Sequence, residues 1–184
     1  MKIEEIRSFA VTYSVILICA IIFVIITASR DKGVTALRLG AYDKVAISHG
    51  QVWRLLTVGF VHIQVWHIAM NMYSLYNMRF MEALLGPVWF AAILFLSVVG
   101  GSVFEYFTSN VRFCVGLSGG LYGLITSYFV IAAKLHVLNI RSFMVTLLMN
   151  LAINFMPGIA WQAHAGGFAT GFILTVIFLA LRTR

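Results

Sequence analysis

Long apolar runs alternate with short polar segments along most of the chain. A run of about 20 apolar residues can cross the hydrocarbon core of a bilayer as an α-helix. Several runs reach or approach that length, and the Gly86-Pro87 pair marks a turn between two of them. The pattern predicts six transmembrane helices, over residues 8–28, 65–85, 87–107, 117–133, 142–156 and 163–181.

The first run, residues 8–28, has two interpretations. It follows Lys2 and Arg7, and Ala28 fits the small residue at a signal-peptide cleavage site, so removal of this run is one of them. The run is longer than the apolar region of a typical signal peptide, which favours a helix that stays in the protein. We therefore expect residues 8–28 to span the membrane.

Residues 29–61 do not follow the pattern of long apolar runs. The segment is too long for a simple turn. Large apolar side chains are distributed among its polar residues, namely Val45, Ile47, Trp53, Leu55, Leu56 and Phe60. Such a mixture is typical of chain that lies at the membrane surface, so we expect this connection to fold against the interface.

Composition supports an integral membrane protein. Of the 184 residues, 61% are hydrophobic and only 10% are charged, and the mean hydropathy is +0.96, far above that of soluble domains. No hydrophilic block is large enough to form a separate domain, which predicts a single membrane domain over residues 1–184. Cys19 and Cys114 lie in apolar surroundings and are interpreted as packing residues.

The formal net charge of +7 raises the question of a nucleic-acid partner. The thirteen Lys and Arg residues are scattered at the ends of apolar runs and form no basic cluster, which is typical of membrane-interface anchors. The sequence therefore predicts contact with the lipid bilayer and no binding of nucleic acid. A cytoplasmic N-terminus puts seven of the thirteen inside and six outside, so charge favours that orientation by one residue. We expect the plasma membrane as the location.

Polar side chains inside apolar runs are candidates for function, because hydrocarbon offers them no partner. Five stand out: His62, His67, Asn71, Ser118 and His164. His67 and Asn71 are four residues apart and share one face of the predicted second helix. Ser118 and Tyr122 share one face of the fourth in the same way, so two polar faces can meet.

Glycines accompany both Ser118 and His164. Gly119 and Gly123 follow the serine, and Gly167 and Gly171 follow the histidine, in each case four residues apart. Small residues at this spacing let two membrane helices approach closely. We therefore expect the fourth and sixth helices to pack tightly enough for the serine hydroxyl to reach the imidazole.

This constellation favours nucleophilic catalysis. A serine hydroxyl needs an adjacent base to act as a nucleophile, and His164 can be that base. The six acidic residues lie at the N-terminus, in the long connection or near helix ends: Glu4, Glu5, Asp31, Asp43, Glu82 and Glu105. A Ser-His dyad therefore fits better than a triad. His67, Asn71 and the Ser118 amide are candidate donors to an oxyanion.

Other classes of membrane protein explain less. A transporter would show inverted repeats or broken helices in corresponding halves, and neither is visible. A scaffold that only binds other helices leaves the Ser, His and Asn side chains without a shared purpose. A zinc protease would need a His-Glu-x-x-His motif, and an aspartyl protease two aspartates within the spans, and both are absent. No metal or organic cofactor is implied.

Taken together, the motifs resemble the rhomboid family of intramembrane serine proteases. "HIQVWHIAMN" is similar to the family's second-helix signature and ends in the candidate oxyanion donors. "GLSGGLY" is similar to the Gly-x-Ser-Gly nucleophile motif, and "AHAGGFATG" to the sixth-helix pattern of a histidine followed by small residues. The Trp53-Arg54 pair matches a feature of the family's first loop.

The resemblance implies an all-α bundle of six transmembrane helices with a long interfacial first loop. It implies hydrolysis of peptide bonds in or next to the transmembrane segments of other membrane proteins. Ser118 would be the nucleophile and His164 the general base, with His67 and Asn71 forming the oxyanion hole. The remaining motif residues would support the site: His62, Gly116, Gly119, Tyr122, Gly167 and Gly171.

Overall fold

The computed structural model describes residues 9–141, 144–146, 148 and 159–182. The described chain is mostly helical, with one pair of two-residue strands. The elements are α1 (Ala10–Ala28), α2 (Lys32–Arg38), β1 (Tyr42–Asp43), α3 (Lys44–Ser48), α4 (Arg54–Thr57), a 3-10 turn (Val58–Phe60), α5 (Val65–Asn77), α6 (Phe80–Leu85), α7 (Pro87–Thr108), β2 (Phe113–Cys114), α8 (Ser118–Lys134) and α9 (Trp161–Arg182).

Among the described residues, three helices are long and apolar enough to cross a membrane, namely α1, α7 and α9. The segment Arg54–Phe60, which comprises α4 and the 3-10 turn, meets α5 at an angle of 93°, and the two counted as one span give a fourth candidate. The protein is therefore an integral membrane protein, as the composition predicts. Helices α1, α7, α8 and α9 agree with four of the predicted spans to within two residues at each described end.

The prediction of one helix over residues 65–85 is wrong. The chain forms two helices there, because α5 ends at Asn77 and α6 begins at Phe80. The turn between them brings Glu82 against the start of α1, where its carboxylate accepts hydrogen bonds from the backbone N–H groups of Val11 and Thr12 at 2.8 and 2.9 Å. Those N–H groups have no partner within their own helix, so this contact between helices overrides the apolar pattern.

The predicted span over residues 142–156 lies mostly outside the described residues. Residues 144–146 and 148, which the structure describes, are helical. The count of six transmembrane helices therefore stays a prediction.

Helices α7, α8 and α9 pack on one another through glycine. A Cβ atom added to Gly167 of α9 would overlap the Gly119 carbonyl oxygen of α8, and one added to Gly171 would overlap the backbone of Gly123. A Cβ atom added to Gly101 of α7 would likewise overlap the carbonyl oxygen of Ala163 in α9. The three helices therefore meet backbone to backbone, as the spacing of small residues predicts for two of them.

The connection between α1 and α5 is folded and held by its own polar contacts. The Arg54 guanidinium donates to the carbonyl oxygens of Leu37 and Ala41, both at 2.7 Å. Strand β1 pairs antiparallel with β2, with Tyr42 opposite Cys114. Since β2 leads directly into α8, the connection fixes the segment that precedes Ser118.

Candidate active site

Ser118 and His164 lie at the starts of two neighbouring helices. Ser118 is the first residue of α8, and His164 is the fourth residue of α9. The His164 Nε2 atom lies 2.8 Å from the Ser118 Oγ atom, within hydrogen-bonding distance. A neutral imidazole that accepts the hydroxyl proton through Nε2 is the arrangement a serine nucleophile requires.

Close packing of the two helices produces this distance. Gly119 follows Ser118 directly, and its carbonyl oxygen lies where a side chain on Gly167 would be. Any larger residue at Gly167 would push the helices apart and lengthen the Ser118–His164 contact. The glycine spacing thus accounts for the geometry of the pair.

Tyr122 stacks on the imidazole ring of His164. Its ring lies parallel to the His164 ring, with centroids 4.3 Å apart and an angle of 12° between the planes. Tyr122 lies one turn after Ser118 on α8, so the same helix face presents the hydroxyl and the stacking ring. The imidazole is also buried, with 6% of its surface exposed, so packing restricts its rotation.

The polar face of α5 forms the opposite wall. The Asn71 side-chain amide donates through Nδ2 to Nε2 of His62 at 3.1 Å. This bond requires a neutral His62 with its proton on Nδ1, and His62 is fully buried. The His67 ring contacts the rings of both His62 and Trp66, whose centroids lie 5.1 and 5.5 Å away.

Gly116 brings this wall close to the serine. Its backbone has a φ of +122°, a conformation that favours glycine. A Cβ atom there would lie 2.6 Å from Cε1 of His67 and 3.5 Å from the Asn71 amide nitrogen. His67 and Asn71 therefore lie directly over the backbone that leads to Ser118, where donors to an oxyanion would have to be.

A cavity of about 720 Å³ opens beside these groups. Its walls include His67, Asn71, Ser118, Tyr122 and His164, and most of the remaining lining is apolar. An apolar cavity of this size with a few convergent polar groups is typical of a ligand or substrate site.

Cys114 also lines the cavity, which raises the question of a second nucleophile. Burial, with a smaller effect from the nearby Glu105 carboxyl, raises the pKa of the Cys114 thiol to about 12. The thiolate is the reactive form of cysteine, and the raised pKa disfavours that form at neutral pH. This agrees with the interpretation of Cys114 as a packing residue.

The described residues contain no group of three His, Cys, Asp or Glu side chains placed to hold a metal ion. Trp53 is more than half exposed on the connection, and Arg54 bonds to backbone carbonyls there, so both residues lie outside the cavity lining. The polar groups around Ser118 supply a hydroxyl, a base and amide or imidazole donors, which are the groups that acyl transfer requires.

Sequence reasoning missed one buried residue next to the pair. Glu105 of α7 is fully buried, and its Oε2 atom accepts a hydrogen bond from the backbone N–H of Ala163 at 3.1 Å. Ala163 immediately precedes His164. The signal was present in the sequence, because an acidic residue within an apolar span is a functional candidate by default.

Comparison with known proteins identifies relatives of the chain. Residues 49–181 match the Rhomboid domain family. RHOMBOID-like protein 1 of Arabidopsis thaliana is 32% identical over 158 residues, which cover 80% of this chain and 40% of that protein.

Two further relatives extend the comparison. RHOMBOID-like protein 6, mitochondrial, of Arabidopsis thaliana is 33% identical over 79% of this chain and 50% of that protein. Rhomboid protease GluP of Bacillus subtilis is 27% identical over 75% of this chain and 28% of that protein. The chain spans half or less of the length of these relatives.

Replacing Gly116 with alanine should impair the site more than the fold. The new Cβ would displace the His67 ring and strain the backbone before Ser118, and a misplacement of about 1 Å in a catalytic site can cost a hundredfold in rate. We expect a serine-directed phosphonate, which reacts with activated hydroxyls, to label Gly116→Ala at least about tenfold more slowly than wild type.

Gly86→Ala is the matched control. Gly86 also has a positive φ, +80°, but no atom lies within 4 Å of an added Cβ, so this variant carries backbone strain alone. It should lose stability and still label at nearly the wild-type rate. Equal labelling of both variants would show that His67 does not contribute to the reactivity of Ser118.

Proposed function

Because the chain belongs to the rhomboid family, we propose that it is an intramembrane serine endopeptidase. Its substrates are other membrane proteins, cut at peptide bonds in or next to their transmembrane segments. The observation that carries this proposal is the 2.8 Å contact between the Ser118 hydroxyl and the His164 imidazole beside a cavity. The name of one relative, Rhomboid protease GluP, supports the same chemistry.

Each residue of the site has a distinct part in the proposed reaction. His164 takes the proton from Ser118 as the hydroxyl attacks the peptide carbonyl, and later delivers it to the leaving amine. His67, Asn71 and the Ser118 backbone amide stabilise the negative charge on the carbonyl oxygen. Tyr122 and His62 hold the His164 and Asn71 side chains, and the glycines Gly116, Gly119, Gly167 and Gly171 allow the close packing.

The proposal includes the setting of the domain. Residues 1–184 form one membrane domain of six transmembrane helices, and the connection between the first two lies at the membrane interface. The N-terminus is cytoplasmic, and the protein resides in the plasma membrane. Water reaches Ser118 through the cavity, because α8 is only about 25 Å long against a hydrocarbon core of about 30 Å.

A membrane scaffold with this fold but without catalysis is the second candidate. Two relatives support this candidate, because their names say rhomboid-like protein and do not mention a protease. It predicts binding of transmembrane segments without cleavage, so the same assay separates the two functions.

Cleavage of a transmembrane reporter protein tests the proposal. Purified wild-type protein in lipid vesicles should cut the reporter, and Ser118→Ala should abolish cutting because the nucleophile is gone. Ser48→Ala, which changes an exposed serine on α3, should cut normally. Binding of the reporter without cleavage by wild type would favour the scaffold, and equal cleavage by wild type and Ser118→Ala would exclude the serine mechanism.

A second prediction separates the oxyanion donor from the base. Asn71→Ala should lower kcat by about a hundredfold to a thousandfold if it is the main donor, since one such donor contributes about 3 to 4 kcal/mol. KM should change little, because the developing charge is absent from the bound substrate. His164→Ala should lower kcat further.

Phosphonate labelling distinguishes the two defects independently. Asn71→Ala keeps nucleophile and base and should label slowly, whereas His164→Ala should hardly label at all. Asn77→Ala is the control, since Asn77 ends the same helix but is exposed, and its amide donates to the Tyr73 carbonyl oxygen of its own helix. If Asn71→Ala labels and cuts as wild type does, Asn71 only packs the helices and the donor assignment fails.

A further inference from the structure

Glu105 is a carboxyl group buried at the start of α9. None of its surface is exposed, and it lies within α7, one of the helices that can cross the membrane. A carboxyl group in such a position is costly and needs partners. Its Oε2 atom accepts a hydrogen bond from the backbone N–H of Ala163 at 3.1 Å.

This hydrogen bond gives a partner to a backbone N–H in the first turn of α9, for which the neighbouring sequence supplies none. The first four N–H groups of a helix have no partner within it, and Ala163 is the third residue of α9. The residue before the helix is Ala160, whose methyl group cannot accept a hydrogen bond. Glu105 reaches across from α7 and supplies the acceptor, and the positive end of the helix dipole favours a carboxylate there.

Helix α7 contacts the same residue a second time. Gly101 lies one turn before Glu105, on the same face of α7. A Cβ atom on Gly101 would overlap the Ala163 carbonyl oxygen. Gly101 thus makes room for the carbonyl of Ala163 while Glu105 bonds to its N–H, so α7 fixes the height and rotation of α9 at that residue.

The second carboxyl oxygen points to a role other than stability. Oε1 of Glu105 is buried and has no hydrogen-bond partner within the ranges that the structure describes. An unsatisfied buried acceptor destabilises a fold, and such exceptions call for a functional explanation. The other buried carboxyl among the described residues, Glu82, uses both oxygens at the start of α1.

We propose that Glu105 is a positioning residue for the base: by holding the Ala163 amide it sets the place of His164 relative to Ser118. This inference rests on the proposed function. Glu105 acts through the backbone, so it differs from the acid of a catalytic triad, which bonds to the imidazole itself. What the site needs from residue 105 is an acceptor at the right distance, and a glutamine provides one.

Three substitutions at Glu105 test this requirement, each compared with wild type in lipid vesicles. Glu105→Gln keeps an acceptor oxygen at the same reach, Glu105→Met removes it, and Glu105→Asp keeps the carboxyl but withdraws it by one methylene. Glu82→Gln and Glu82→Met are matched controls, because they change a buried carboxyl that bonds to the start of a different helix. The measurements are thermal stability, kcat and KM on the transmembrane reporter, and the rate of phosphonate labelling of Ser118.

We expect Glu105→Gln to react nearly as wild type does. Glu105→Met and Glu105→Asp should lower kcat and labelling together by about tenfold to a hundredfold, with little change in KM, because the base is displaced from the hydroxyl. The Glu82 variants should lose stability but keep kcat when assayed below their melting temperatures. Rescue by glutamine and the selective fall in kcat distinguish positioning from a purely structural role.

Several results would overturn the inference. Folded Glu105→Met and Glu105→Asp that label at the wild-type rate would show that His164 needs no such support. A Glu105→Gln variant as slow as Glu105→Met would assign the effect to charge instead of to the acceptor. If the Met and Asp variants fail to fold while the Glu82 variants fold, Glu105 is a folding residue and the positioning role is rejected. Failure of wild type itself to label would instead refute the proposed function.

Discussion

The close approach of α8 and α9 is the constraint on which the rest of the site depends. Larger side chains between these two helices would push them apart and lengthen the 2.8 Å contact between the Ser118 hydroxyl and the His164 imidazole. Glycines at 119, 123, 167 and 171 remove those side chains and let the backbones touch. Because lipid tails are as apolar as the helices, this contact is stabilised by packing and not by release of water.

With the two helices in contact, the remaining groups of the site are positioned by short-range contacts. Tyr122 stacks on the imidazole from the same helix as the serine. The positive φ of Gly116 keeps a side chain away from the His67 ring, so the polar face of α5 can lie over the chain that leads to Ser118. Pairing of β1 with β2 also holds the chain just before Ser118. The site therefore combines elements far apart in sequence, each held by a contact that excludes larger residues.

Much of this arrangement could be predicted from the sequence, because it depends on the length of apolar runs and on the spacing of glycines, which can be read without knowing the tertiary contacts. Apolar length located α1, α7, α8 and α9, and the four-residue spacing of glycines indicated which two helices would approach. The break between α5 and α6 could not be predicted, since it depends on Glu82 reaching the free amides of α1. The contact of Glu105 with Ala163 spans 58 residues and follows from packing that no local pattern encodes. The fifth predicted span, residues 142–156, lies mostly outside the described residues, so the full helix count is still a prediction.

The most direct test of Ser118 as the activated nucleophile is to locate the phosphonate adduct by mass spectrometry. Folded wild-type protein in lipid vesicles would be treated with the reagent and digested, and the modified peptide would be mapped to the residue that carries the adduct. The account predicts one adduct, on the peptide that contains Ser118 and on that side chain. An adduct on another residue, such as Cys114, or no adduct on protein shown to be folded, would contradict it.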